Sequence, residues 1–381
     1  MKICYVTTVP ITLEAFVLPT VRTIRDQTDW QITMICDEDT EFEKKLPEGV
    51  RYIPVPMKRG ISPAGIGAML KMRKIFKKEK FDLVQYSTPN ASLYASLAAK
   101  MAKIPVRLYC QWGIAYVGFS GMKRKIFKSV EKLVCRCSTQ VEPDSFGNLR
   151  FSHAEGLYPE SKGRVVWNGS ASGVNLQKFD ISQKESWRQE VRKSYDIPED
   201  AFVYGFVGRI TRDKGINELF AAYQKLLAEK ENTYLMLVGS PENEQLLDQG
   251  LYQWAKEQDR VIFCGQTNRV EKFMSAMDVY ILPSYREGFG SAVVEAEAMG
   301  VPVIVSDIPG PTDAMKPGKT GLLVKKADAD SLKDAMIRME EDRQLCRTMS
   351  TEAERFAAES FEQGQLALKI LEDRKDLLNI R

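Results

Sequence analysis

The 381-residue sequence contains one histidine, His153. A metal site built on several imidazoles is therefore excluded. Its seven cysteines are an odd number at irregular spacings, and Cys135 and Cys137 are separated by one residue where a zinc knuckle has two. That pattern fits free thiols in a reducing, cytoplasmic setting, and no metal site is expected. No run approaches the ~18 apolar residues that cross a bilayer. The apolar start after Lys2 is interrupted by Thr7, Thr8, Pro10, Thr12 and Glu14, and no small-residue cleavage site follows. It reads as a buried first strand, not as a signal peptide. No G-x-G-x-x-G is present, which disfavours a nicotinamide enzyme. Gly318-Lys319-Thr320 lacks the earlier glycine of a Walker A loop, since position 313 is Asp313, and reads as a turn into a strand at 322–324. There is no repeat of 20–50 residues and no low-complexity segment.

Hydrophobic residues make up 44% and charged residues 28%, the balance of a folded globular chain. The length suggests two or three domains. A net charge of +3 hides an asymmetry: residues 1–180 carry +10 and residues 181–381 carry −7. One basic and one acidic half point to two domains with different partners.

Short apolar runs alternate with amphipathic ones. Strands are expected at 3–6, 30–36, 53–55, 82–86 and 106–110, with helices at 16–27, 62–79 and from Pro89 to before Pro105. The pattern restarts after residue 200, with strands at 202–207, 234–238, 261–264, 279–282 and 301–305, and helices near 215–230 and 291–299. Such alternation builds two doubly wound parallel sheets. The join falls near 170–200, where Asn168-Gly169 and Gly173 punctuate and a polar helix (184–195) leads to Pro198. Ligands of such sheets bind beyond the carboxyl ends of the strands, so the loops there are the candidates for chemistry.

Two of these loops stand out. Arg286-Glu287-Gly288-Phe289-Gly290-Ser291 follows a strand and opens a helix that carries Glu295 and Glu297. Glycines let a ligand approach the backbone, and a helix start favours an anion. Glu287 lies in the loop just before the helix and Glu295 about one turn inside it, roughly 6 Å further along the axis from the rise per residue, so the two can accept hydrogen bonds from a polyhydroxylated ligand. Glu297 is expected on the solvated face. In the second loop, Gly208-Arg209 is followed by Arg212, Lys214 and Gly215. Arg209 can grip phosphate oxygens in a fork, and Lys214 adds a point charge.

Together these segments resemble the donor half of the retaining glycosyltransferase family 4. Its strand–Gly–Arg–…–Lys–Gly segment is matched by Gly208-Arg209 and Lys214-Gly215, and its E-x7-E by Glu287 and Glu295. Glu-Ala-x-Ala-x-Gly-x-Pro-Val-Ile and Gly-Lys-Thr-Gly-Leu-Leu-Val follow in order. The resemblance is strong over 200–330 and moderate over 1–180. It implies an α/β GT-B fold, two Rossmann-like doubly wound domains facing a central cleft. The acceptor-binding domain is placed at 1–180 and the nucleotide-sugar domain at 195–360, with a C-terminal helix (361–381) packing back across the join. It also implies roles. Arg209 and Lys214 neutralise the diphosphate of a nucleotide-sugar, UDP-linked in the usual case. Glu287 holds sugar hydroxyls and Glu295 the ribose. Gly208 and the backbone of Phe289, Gly290 and Ser291 line the donor, and Gly265, Gln266 and Thr267 lie by the base. The nucleotide-sugar is a substrate; no cofactor or metal is implied.

The sequence departs from the family in two places, the end of the fifth strand and the loop after the first strand, where many members have a glycine pair and this chain has Thr8-Val9-Pro10-Ile11-Thr12-Leu13. Many members end the fifth strand with His-Gly, and here Trp112 precedes Gly113. Trp112 stacking on a sugar, polarity from Gln111, or entry of His153 are the candidate replacements, although a histidine at a surface or helix end is the more ordinary reading. The loops carrying Thr12 (8–13) and Thr88 (87–90) resemble those of a subgroup that assembles capsular and surface polysaccharide on a polyprenyl-diphosphate carrier. Two cationic stretches, Lys71 to Lys80 and Lys123 to Lys128, interleave with apolar residues. They suit peripheral contact with the inner face of an anionic membrane. Base-stacking aromatics are too few among them for nucleic acid. A sugar phosphorylase or nucleotide-sugar epimerase on the same fold is the alternative enzyme. A weakened sugar- or lipid-binding scaffold is the alternative of another class.

Overall fold

The computed structural model describes residues 1–57 and 63–379. The chain forms two compact units, Met1–Gly173 together with the C-terminal segment from Gln363, and Val174–Glu362. Each is described by itself.

In the first unit the elements run β1 (Lys2–Val6), α1 (Pro10–Phe16), α2 (Leu18–Gln27), β2 (Gln31–Cys36), α3 (Thr40–Lys44), β3 (Arg51–Pro54), α4 (Pro63–Glu79), β4 (Leu83–Tyr86), α5 (Pro89–Met101), β5 (Val106–Gln111), α6 (Gly121–Cys137), β6 (Gln140–Pro143) and α7 (Phe146–Ala154). The sheet is parallel with order β3-β2-β1-β4-β5-β6. Because both faces are covered, its central strands β1 and β2 are apolar almost throughout. Alternate residues supply two cores. Ile3, Tyr5, Ile32 and Met34 face one way, while Cys4, Val6, Val84 and Tyr86 face the other.

The expected single helix at 16–27 is two helices. Pro19 lies at the start of α2, where its missing N–H costs nothing, and Val17 joins the pair. The stretch read as a loop at 8–13 instead starts α1, with Pro10 in its first turn. Thr12 is thus helical. The start of the helix expected at 62–79 touches residue 62, which lies outside the described residues. Strand β6 was not anticipated.

The second unit runs α8 (Lys184–Ser194), β7 (Phe202–Val207), α9 (Ile216–Leu227), β8 (Thr233–Val238), α10 (Gln249–Glu257), β9 (Val261–Gly265), α11 (Val270–Ala276), β10 (Val279–Leu282), α12 (Ser291–Ala298), β11 (Val303–Ser306), β12 (Gly321–Val324), α13 (Ala329–Glu341) and α14 (Arg343–Phe361). Its parallel sheet has the order β12-β11-β10-β7-β8-β9. Both sheets thus show the same winding, with the order reversing between β1 and β4 in one and between β7 and β10 in the other.

The last helix, α15 (Gln363–Asn379), belongs to the first unit, where Leu371 and Leu378 join the core beside Val21 and Ile24 of α2. Arg374 is buried there. Its guanidinium donates to both oxygens of Glu142 in β6 and to Gln85 Oε1 in β4. All seven cysteines are free thiols. Among the described residues no helix is long and apolar enough to cross a membrane.

Candidate active site

In a doubly wound sheet, the loops after the two strands flanking the order reversal diverge and leave a crevice. In the second unit those loops follow β7 and β10. They carry the two segments singled out from the sequence.

The loops are fastened to each other. The Tyr285 N–H donates to the Asp213 carbonyl at 2.9 Å, and Arg286 pairs with Asp213 at 3.0 Å. Gly215 adopts φ +72°, and a Cβ there would stand 2.0 Å from the Pro283 carbonyl oxygen. Only glycine allows both the left-handed turn and that approach. Lys214 Nζ then reaches Glu287 Oε1 at 2.5 Å, and the Ser284 hydroxyl donates to the same oxygen at 2.7 Å. Both members of the ion pair are largely buried. The second carboxylate oxygen of Glu287 has no partner among the described residues.

Helix α12 starts directly behind this pair. Its N-cap is Gly290, which is left-handed and supplies no side-chain hydrogen bond. The positive end of the helix therefore faces the crevice without a capping side chain. Ser291 is the first helical residue. Phe289 turns its ring into the core, edge-on to Phe361 at 5.2 Å, so only its backbone borders the crevice.

Glu295 lies one turn into α12 and is partly buried. Burial pushes its carboxyl up to about 6, Lys178 pulls it down and Glu271 pushes it up. Lys178 also lies 3.9 Å from the buried Glu271. Both Glu287 and Glu295 act on the buried Tyr280 phenol, whose proton burial already holds more tightly. Glu297 corrects an expectation. It is fully buried, and neither oxygen has a donor at hydrogen-bonding geometry among the described residues. Burial raises its carboxyl well above the ordinary range, against the opposing pull of Thr320 and Lys316. Two residues beyond Glu295, it lies on the opposite side of the helix.

Arg209 is exposed and pairs with the equally exposed Glu242 at 2.9 Å. Gly208 brings the chain close to β8, where a Cβ on Gly239 would lie 1.9 Å from the Gly208 oxygen. Gly265 and Gln266 are exposed at the end of β9, and the Gly239 N–H donates to the Gly265 carbonyl.

The first unit has the corresponding crevice after β1 and β4. The Thr8 and Thr88 hydroxyls meet there at 2.8 Å, and the Thr8 N–H donates to Thr88 Oγ1. Thr88 has φ 67° and ψ 144°. That is strained for a β-branched residue, and such strain concentrates at ligand sites. Trp112, after β5, is partly exposed and tilts against Phe16 at 5.5 Å. Gln111 does not supply the expected polarity to a ligand. It is fully buried, donating to Glu131 at 2.6 Å and accepting from Ser152 at 2.9 Å. Gln111 is thus engaged inside the fold, while Trp112 lies just beyond the strand end and is partly exposed. His153 ends α7, its ring edge-on to Tyr158 at 5.2 Å. No contact joins it to Trp112. Thr8, Ser284, Lys178 and Glu271 were not singled out from the sequence. The first two were detectable as polar residues just beyond strand ends.

The family described as Glycosyl transferases group 1 matches residues 188–356, and the family described as Glycosyl transferase 4-like matches residues 2–145. The capsular polysaccharide biosynthesis glycosyltransferase CapM of Staphylococcus aureus is 30% identical over 316 residues, covering 83% of this chain and 82% of CapM. An Escherichia coli UDP-Gal:α-D-GlcNAc-diphosphoundecaprenol α-1,3-galactosyltransferase is 28% identical, covering 83% and 81%. Among solved structures, Anabaena HepE in complex with UDP superposes with a TM-score of 0.79 at 20% identity, covering 99% of this chain and 100% of HepE. The chain therefore belongs to glycosyltransferase family 4, with the GT-B fold, in the group that builds capsular and other surface polysaccharides.

Proposed function

We propose that this transferase is retaining and metal-independent. It moves a hexosyl or N-acetylhexosaminyl group from a UDP-sugar to a polyprenyl-diphosphate-linked saccharide. The observation that carries this reading is the Lys214–Glu287 pair beside the uncapped start of α12. A donor diphosphate fits that positive helix end, with Lys214 on one side and Arg209 on the other. The Arg209–Glu242 pair is exposed, and such pairs contribute at most about 1 kcal/mol. Arg209 can therefore exchange Glu242 for phosphate at little cost.

Lys214 and Arg209 meet the negative charge that grows as the bond from the anomeric carbon to the phosphate oxygen breaks. Fixed cations aimed at developing charge are worth about 3–4 kcal/mol each when removal is measured. UDP leaves with the bonding electrons. The acceptor hydroxyl forms the new bond on the same face, and its proton passes to the departing phosphate oxygen. Glu287 orients the sugar through its unengaged oxygen, and Glu295 receives the ribose hydroxyls. Thr88, Thr12 and Trp112 border the acceptor.

The carrier class is suggested by the diphosphoundecaprenol acceptor named for the E. coli relative. The UDP donor is suggested by that relative and by the UDP of HepE. Peripheral membrane contact, at the inner face of the cytoplasmic membrane, is supported by two helices of the first unit. On α6, Met122, Ile126 and Leu133 lie exposed on one stripe among Lys125, Lys132 and Arg136. On α4, exposed Ile66 and Leu70 precede Lys74, Lys77 and Lys78. The stripe expected on α4 is only half exposed, because Met72 and Phe76 are core residues. An apolar stripe edged by cations suits an anionic interface.

The scaffold alternative rests on the absent histidine at Trp112. Intact donor-side charges favour catalysis instead. The test is incubation with UDP-sugars and undecaprenyl-diphosphate-linked saccharides in chelator, followed by assignment of the product anomer. An α product from an α-linked donor is expected. A β product contradicts retention, and turnover of the UDP-sugar without acceptor favours the epimerase.

A further inference from the structure

A groove of about 640 Å³ opens in the first unit between the end of α6 and the segment that follows α7. Trp112 and Thr88 follow the ends of β5 and β4, so the groove lies toward the opposite end of the sheet. Its walls carry Lys132, Arg136 and Lys162, and its lining contains no carboxylate. The side chains of these three cations have no hydrogen bond or ion pair among the described residues. Its floor is apolar, formed by Cys135, Leu157 and Tyr158, all buried.

Lys162 is the inner cation. Burial lowers its amine from the ordinary value, and Arg107 and Lys100 repel it further. Three cations thus line one groove, with Arg107 and Lys100 adding to the positive field at Lys162. The nearby carboxylate of Glu131 is already taken by Gln111 and Tyr109. Arg107 donates to the Cys137 carbonyl, which caps the α6 end that would otherwise repel an anion.

We infer that this groove is a second ligand site, distinct from the donor and acceptor crevices, for the phosphate headgroup of an anionic membrane lipid. Charge complementarity selects the phosphate. The apolar floor selects a ligand with a hydrocarbon part. Lys132 and Arg136 are exposed on the same helix as Met122, Ile126 and Leu133, so the helix that meets the interface also forms the groove wall. The inference extends the membrane contact proposed above, and its test separates the two.

The full-length protein is titrated calorimetrically with dioctanoyl-phosphatidylglycerol below its micellar concentration, and with inorganic phosphate. Sedimentation with phosphatidylglycerol vesicles is measured in parallel. The expected result is saturable one-site binding of the monomeric lipid, weakened roughly tenfold in Lys162→Ala and kept in Lys162→Arg, as for loss of one charged hydrogen bond. Met122→Ser/Ile126→Ser keeps monomer binding and loses vesicle binding. Absence of saturable monomer binding, unchanged binding in Lys162→Ala, or equal binding of inorganic phosphate overturns the site. Wild-type monomer binding without vesicle binding upholds the groove and removes the membrane reading.

Discussion

Lys214 and Glu287 are 73 residues apart in sequence and 2.5 Å apart in space. They meet because β7 and β10 are neighbours in the sheet and their following loops are pinned at Gly215 and Asp213. In the proposed function the lysine meets the donor diphosphate and the carboxylate meets the sugar. Lys214→Ala should reduce kcat by about 10²–10³, as for removal of one fixed charge at the reacting centre. Glu287→Ala should cost a similar factor. Since each holds the other, the double variant should lose much less than the product of the two. Steady-state kinetics of the three variants checks this.

Glu295 gives the site a pH signature. Its folded value near 6 lies above the usual carboxylate value of 4.5. Ribose hydroxyls donate best to the ionised form, so UDP affinity should rise as pH increases through 6 and level off above 7. Stability moves the other way. A raised carboxyl favours the protonated folded state, so stability is lost as pH rises from 4.5 through 6, by at most about 2 kcal/mol. Glu295→Gln should remove the pH dependence of UDP binding, weaken that binding, and melt no lower than wild type at pH 7.5. Calorimetry and melting curves between pH 5 and 8 test both signs.

The buried Glu297 carboxyl should be a pure stability defect. An unsatisfied buried polar group costs about 1–3 kcal/mol. Glu297→Met should therefore raise stability by about that amount with transfer unchanged. The advantage should grow with pH, because the folded state prefers the protonated form throughout. Denaturant titration at pH 5 and pH 8 reads it out.

Arg374 binds the last helix to the first sheet. Arg374→Ala strands Glu142 in the core and should destabilise the first unit by about 3–5 kcal/mol. Replacing both as Arg374→Met/Glu142→Leu should recover most of that loss. Urea unfolding of the single and double variants distinguishes a buried charge left alone from mere loss of packing.

These cases mark what the sequence could reveal. The strand–loop–helix rhythm and the order of Gly208, Arg209, Lys214, Glu287 and Glu295 are local, and they carried the fold and the donor crevice. Strand β6 escaped notice because its four residues include Glu142 and Pro143, neither of which favours a strand. Glu142 belongs there only because Arg374 arrives from 232 residues away. The same holds for Gln111, whose burial depends on Glu131 and Ser152 from two helices. Glu297 looked like a surface residue because helix faces were assigned by polarity. In the fold, α12 is covered on nearly all sides.

Lys214, Glu287, Glu295 and the start of α12 are proposed to form one nucleotide-diphosphate site. Its most direct test is calorimetric titration of UDP, with ADP and GDP as controls, into wild type, Lys214→Ala and Glu295→Ala in the presence of chelator. UDP should bind the wild type without metal and in preference to the other two, and each variant should bind it at least about tenfold more weakly. Failure of any nucleotide to bind at millimolar concentration, or equal binding by wild type and both variants, would contradict it.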